Sequence, residues 1–425
     1  MCQKIVFLAV LLTLGLLSCT REKQPLSSGK EKSPSEGEQE GGFVTHPQIT
    51  IPWPSLANSP CPTYLYDPQH TGRSAFVGPQ EGVLAGTIEY TLSDAYMQAV
   101  LGEDRTVYFT SPVGLIAANS DGSIKWKYDG SFWYTPLVTA DGTIYAYQAR
   151  GGGICAFTPN GELKWAFKGD QAGVEWPHIS SISMDGRTVY FVARLNTEDG
   201  TLHVYALTTQ GDLKWKCKLE GRFAPEAAMS PDGTTLYVAV SKTGLYAVDT
   251  TGTVKWSYGY SDNSSSPSVD NEGNIYFVTS GSVFSLRANG SLRWQTSIGS
   301  VAHIGPGVSI GWDGTLYSVG QNAGALYALD YNGRIMWKTE KIWAYTEPII
   351  DMNGDIYISM VGGNNDVGSG GANFAVFHKD GTFKFSRSFY VTGARTVPDL
   401  DNVPAITSDR RAFVGTNFSY YFIIR

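Results

Sequence analysis

Along most of the chain, short runs of alternating apolar and polar residues are separated by Asp-Gly, Asn-Gly and related turn pairs. This is the pattern of half-buried strands joined by tight hairpins. The clearest recurring unit is a turn pair followed by a polar residue, an aliphatic, usually a base, and a tryptophan. It runs as Asp121-Gly122-Ser123-Ile124-Lys125-Trp126 and Asn160-Gly161-Glu162-Leu163-Lys164-Trp165, and returns ending at Trp215, Trp256, Trp294 and Trp337. Asp380-Gly381 leading to Phe385, and Gly86 leading to Tyr90, bring the count to eight. A second mark, a turn followed by a strand with Tyr or Phe, also occurs eight times, at Tyr108, Tyr145, Tyr190, Tyr237, Tyr276, Tyr317, Tyr357 and Phe413. Between the two marks lies a third strand, such as Gly244–Asp249. A fourth starts near Pro136, Pro177, Pro225, Pro267, Pro306, Pro348 or Pro404, where the missing amide need not join a ladder.

Four strands at a period of roughly 42 residues make one propeller blade. Asp-Gly and Asn-Gly pairs accept positive φ at both central residues, so each blade reads as a meander of direct hairpins. The predicted fold is therefore all-β: an eight-bladed β-propeller of four-stranded antiparallel blades. Gly86 to Leu92 supplies a lone outer strand and Pro404 to Arg425 supplies three more, so the N-terminal outer strand is expected to join the C-terminal blade. Such closure leaves no open sheet edge around the ring.

Composition adds limits. The chain has 13% aromatic and 17% charged residues, 48 glycines and a net charge of −7. With a pI near 5.4 and no basic cluster in the body, a nucleic-acid partner is excluded. Lys4 and the apolar run Ile5 to Leu17 read as a signal peptide, and Leu16-Leu17-Ser18-Cys19 resembles a bacterial lipobox in which Cys19 becomes the lipidated N-terminus. Residues 1–18 are thus read as the signal peptide, 19–50 as a flexible tether, 51–85 as a lead-in packed on the propeller, and 86–425 as the propeller. The body is expected to be exported, held at the cell envelope by lipid alone, and monomeric. Thr20 after Cys19 favours an outer-membrane address over inner-membrane retention. Cys61, Cys155 and Cys217 lack CxxC spacing and read as buried thiols.

Ala247-Val248-Asp249-Thr250-Thr251-Gly252-Thr253-Val254-Lys255-Trp256, and its near copy Ala328 to Trp337, resemble the tryptophan-docking motif of the pyrroloquinoline-quinone-type (quinoprotein-like, BamB-like) repeats. The resemblance implies that Trp126, Trp165, Trp215, Trp256, Trp294 and Trp337 wedge between neighbouring blades while the turn glycines let backbone approach. Tyr90 and Phe385 would be conservative departures. Enzymatic members of this family are quinoprotein dehydrogenases, which hold a quinone over calcium beside a vicinal disulfide; no adjacent cysteine pair exists here. Asn364-Asn365-Asp366 and Asp399 to Asn402 read as loop residues. The expectation is a non-enzymatic protein with no cofactor and no metal site. Tyr66 to Ser74, with Asp67, His70 and Arg73, reads as a structural plug. His178 and His303 open inner strands and read as structural.

A meander puts its short turns on one face and the longer connections on the other. Those longer connections carry every insertion, at 194–201, 362–372 and 390–402, and loops on a rigid scaffold are where binding residues sit. Aromatic residues precede the inner strands on that face, at Tyr96, Trp133, Tyr134, Trp176, Phe223, Trp343 and Tyr345, from the first, second, third, fourth and sixth blades. As a set they form a candidate ligand-facing funnel suited to envelope proteins, extended peptides or glycans.

Overall fold

The computed structural model describes residues 42–89, 98–169, 174–195, 201–299, 306–320, 324–361, 373–389, 400, 402–416 and 420–425. Side chains of 174–176 are outside this set. Residues 43–425 form one compact unit. Its strands make eight four-stranded antiparallel sheets, each a meander of consecutive strands except the last to close. The first blade runs Val100–Leu101, Val107–Ser111, Gly114–Ala118 and Ile124–Asp129 from the axis outward, and the next six repeat that order. Second and third strands are buried along almost their whole length, whereas outer strands alternate exposed and half-buried residues.

The tryptophan position is built the same way in six blades. Trp126, Trp165, Trp215, Trp256, Trp294 and Trp337 lie on the outer strand against the turn glycine of the following blade. A Cβ on Gly161, Gly211, Gly252, Gly290, Gly333 or Gly381 would meet that ring at 2.5–2.9 Å. Each indole nitrogen donates to a carbonyl of the same turn, for example Trp126 to Pro159 at 2.8 Å and Trp215 to Thr250 at 3.0 Å. The tyrosine of the second mark supports the ring from its own blade, as with Tyr108 and Trp126 at 5.9 Å between centroids.

The eighth blade pairs Leu84–Glu89 with Tyr420–Ile424, in the order Leu84–Glu89, Tyr420–Ile424, Ala412–Gly415, Ala405–Ile406. Its register corrects the reading of the eighth repeat by four residues. Gly86 stands opposite Ile423, as Trp126 stands opposite Ala117, with the same bulge just before it. The turn glycine is therefore Gly82, whose φ of +65° is left-handed like that of the other outer-strand turn glycines. A Cβ on Gly82 would meet the Phe385 ring at 2.5 Å, as one on Gly381 would meet Trp337. The docking position holds Gly86 and not Tyr90, which lies outside the described residues; Gly122 of the first blade meets Ile423 and Ile88 instead.

The lead-in closes one mouth of the axial channel. The last residue of every inner strand bonds to it: Leu101 N to Cys61 O, Val138 N to Pro62 O, Met229 N to Pro68 O, Val269 N to Gln69 O, Ile310 N to Thr71 O and Ile350 N to Gly72 O, all at 2.7–2.9 Å. In the third blade Trp53 Nε1 donates to Ile182 O, and in the eighth the Tyr66 hydroxyl accepts from Ile406 N and donates to Pro404 O, each at 2.7 Å. Inner strands have a free edge toward the axis, and these bonds satisfy it. The compact unit also begins earlier than the expected tether boundary: His46 N bonds Asp313 O and Tyr331 N bonds Val44 O.

Candidate functional site

Because the plug fills the mouth on the short-turn face, the channel lining toward the opposite face is the place to look for chemistry. There the junction from each outer strand to the next inner strand presents polar side chains to the axis. Pro225-Glu226 and Glu347-Pro348 set two carboxylates into this lining, both buried. Glu226 Oε1 lies 3.0 Å from His178 Nδ1, and its other oxygen accepts from Ser266 Oγ at 3.3 Å. Glu347 accepts from Gly307 N and from the Tyr64 hydroxyl, each at 3.0 Å.

These two acids titrate apart. Burial alone would raise Glu226, but His178 and its hydrogen bond outweigh burial and hold the group down at about 2. Burial pushes Glu347 above its ordinary value, with the charge of Glu226 adding to the rise. His70, from the plug, packs edge-on to Tyr64, the hydroxyl donor to Glu347, with centroids 5.2 Å apart. Burial brings its pKa down to about 4, opposed by the Glu226 charge and the Pro267 carbonyl. Neither ring nitrogen of His70 meets hydrogen-bond geometry with a partner, and the same is true of His178 Nε2.

Irregular backbone aims these groups. The second blade's inner strand shifts register between Trp133 and Leu137, and Tyr134 takes φ of +66°, a conformation non-glycine residues rarely adopt. The third blade's inner strand shifts between Glu175 and His178. As a result Tyr134 packs on His178 at 4.0 Å, and His178 meets Phe223 edge-on at 6.2 Å. An aromatic arc across the second to fourth blades thus stands over Glu226.

Of the seven expected funnel residues, the structure brings Tyr134 and Phe223 together through His178. Trp133 is half-buried and donates to Ser131 Oγ at 2.8 Å. Trp343 is half-buried with its ring against Gly324, and Tyr345 is 50% exposed. These last two lead into the seventh blade's inner strand at Ile349–Ile350, not the sixth's. Tyr96, the side chain of Trp176, His303, Asn364-Asn365-Asp366 and the insertions at 362–372 and most of 390–402 lie outside the described residues, as does Cys19. Cys61 and Cys155 are buried and Cys217 is half-buried, all as free thiols. Among the described residues there is no group of three or more His, Cys, Asp or Glu placed to hold a metal ion.

The fold defines the class, an eight-bladed β-propeller, and its repeats are similar to the pyrroloquinoline-quinone type. Residues 183–359 match the family described as outer membrane protein assembly factor BamB. Among solved structures, BamB from Moraxella catarrhalis is similar at 15% identity, with 81% of this chain and 97% of that chain covered and a TM-score of 0.56. Sqt1 from Saccharomyces cerevisiae is similar at 12% identity, covering 81% and 98%, with a TM-score of 0.58. A virginiamycin B lyase from Staphylococcus aureus aligns at 13% identity over 64% and 95%, with a TM-score of 0.48. No curated protein matches the chain.

Proposed function

We propose that this chain is an exported lipoprotein, anchored through Cys19 at the outer membrane, that binds protein segments on the long-connection face of its propeller without catalysing a reaction. One observation carries the reading: the channel is stopped by the chain's own plug at one mouth, while the other presents Tyr345, half-buried Trp343 and the Tyr134–His178–Phe223 arc on or just before the inner strands. Partly exposed aromatic side chains give large contact area at low entropic cost, and a preorganised scaffold keeps that cost low. The family description, an outer-membrane assembly factor, supports the same kind of role. Glycan or free-peptide binding by the same aromatics is the competing reading, and the test separates them.

A photo-crosslinking amino acid placed at Tyr345 or Trp133 in the full-length protein, expressed in its own cells, should yield discrete protein adducts at the envelope. The same probe at Lys216, on an outer strand, should yield none. Crosslinks absent at both funnel positions, together with glycan-array signal lost in Trp133→Ala with Trp343→Ala, would transfer the function to sugars.

A further inference from the structure

The exposed apolar residues are distributed unevenly over this body. Single exposed aliphatics are ordinary on any protein surface, but their confinement to one side is not. In every blade the residue two after the outer-strand turn glycine is apolar and exposed: Ile124 after Gly122, Leu163 after Gly161, Leu292 after Gly290, Phe383 after Gly381, and the equivalent elsewhere. All eight are 37–49% exposed. Positions equivalent by repeat in a ring lie on one circle perpendicular to its axis, so these eight make a belt around the rim of the short-turn face.

The other exposed large apolar residues extend that belt inward. Met352 is 63% exposed in the seventh blade's first turn. Ile49 is 66% and Phe43 53% exposed; they flank the stretch where Val44 N bonds Asp330 Oδ2 and Gln48 N bonds Trp312 O, both on short turns of the sixth blade. Of the fourteen large apolar side chains exposed among the described residues, thirteen lie on this face, and only Tyr345 lies on the other.

The chain preceding Phe43 is therefore joined to the body on the apolar face. From Cys19 to Gly42 is a short span: at most ~3.5 Å per residue, it limits the body to within about 80 Å of whatever holds Cys19. Confinement at that range raises the effective concentration of weak surface contacts, so many partial ones act together. Carboxylates cap the turns of this face, Asp121 accepting from Ser123 and Asp104 pairing with Lys125 at 3.1 Å, so the charges lie in the turns and the belt between them is apolar. A planar ring of apolar side chains around the rim fits a planar lipid surface.

We propose that the short-turn face lies against the lipid bilayer that holds the anchor, with the apolar belt at the headgroup boundary, so that the long-connection face points away from the membrane. This orientation rests on the lipid-anchor reading of Cys19, and it explains how the aromatic mouth would be held open to partners.

The test uses full-length acylated protein on vesicles of phosphatidylethanolamine and phosphatidylglycerol that contain a headgroup nitroxide lipid. A fluorophore is attached in turn at Leu163→Cys, Leu292→Cys and Tyr345→Cys in a Cys217→Ser background. Quenching at the first two positions should exceed that at the third several-fold. Equal or reversed quenching on protein that floats with the vesicles overturns the orientation and leaves the anchor standing. Protein that fails to float overturns the anchor reading and the orientation with it. Belt positions shielded only in a dimer seen by analytical ultracentrifugation without lipid would assign the face to a second copy and overturn the proposal.

Discussion

His70 is buried completely beside Tyr64 and close to Glu226, and burial keeps it neutral in the folded protein. Burial lowers its pKa from 6.5 to about 4, and the unfolded chain therefore takes up the proton first as pH falls. Its contribution is complete above pH 6.5 and is lost progressively down to about pH 4, roughly 3 kcal/mol in all. Glu226, held down at about 2, adds its own loss at lower pH. Urea denaturation of wild type and His70→Gln at pH 7.5, 5.5 and 4.5 should show wild type losing stability relative to the variant as pH falls; parallel curves would refute the assignment. The sequence suggested the plug because turn-prone polar residues cluster locally between 66 and 74. It did not reveal the Glu226–His178 pair, whose members are 48 positions apart and meet only when neighbouring inner strands converge. The available signal was a carboxylate beside the junction proline, in Pro225-Glu226 and Glu347-Pro348.

The blade-to-blade dock shows the same limit at the level of elements. Six tryptophans were legible because each recurs four residues after a turn glycine, and the repeat fixes both partners. The eighth copy was misread by four residues because Gly86 looks like a turn glycine, whereas it occupies the docking position opposite Ile423. Spacing without an aromatic cannot set the register. The dock can be weighed by comparing two glycines with similar backbone. Gly252 has φ of +89° and its added Cβ would meet the Trp215 ring at 2.9 Å; Gly273 has φ of +80° and would meet only Ala288 Cβ at 3.6 Å. Gly273→Ala should cost about 1 kcal/mol, the left-handed backbone penalty alone. Gly252→Ala should cost about 2–3 kcal/mol, since the overpacked ring is added to that penalty. Equal losses in chemical denaturation would mean that the ring yields freely and the dock is loose.

At the scale of the whole molecule, closure makes one cooperative body from units that resemble an open array. In a linear repeat protein each unit contacts only its neighbours and the ends fray. Here Leu84–Glu89 pairs with Tyr420–Ile424 across more than three hundred residues, and Val83 and Arg425 exchange two main-chain bonds of 2.9 Å. The plug adds a second constraint, because one continuous segment ties all eight inner strands at their turn ends. Removing residues 420–425 would leave Leu84–Glu89 without a partner and expose the edge of Ala412–Gly415, an invitation to aggregation. Because the ring transmits that loss to every blade, the truncated protein should lose its single melting transition and elute as aggregate, instead of losing one blade's share of stability. A monomer that melts in one step within a few degrees of the intact protein would show that the plug, and not the strand exchange, holds the ring together.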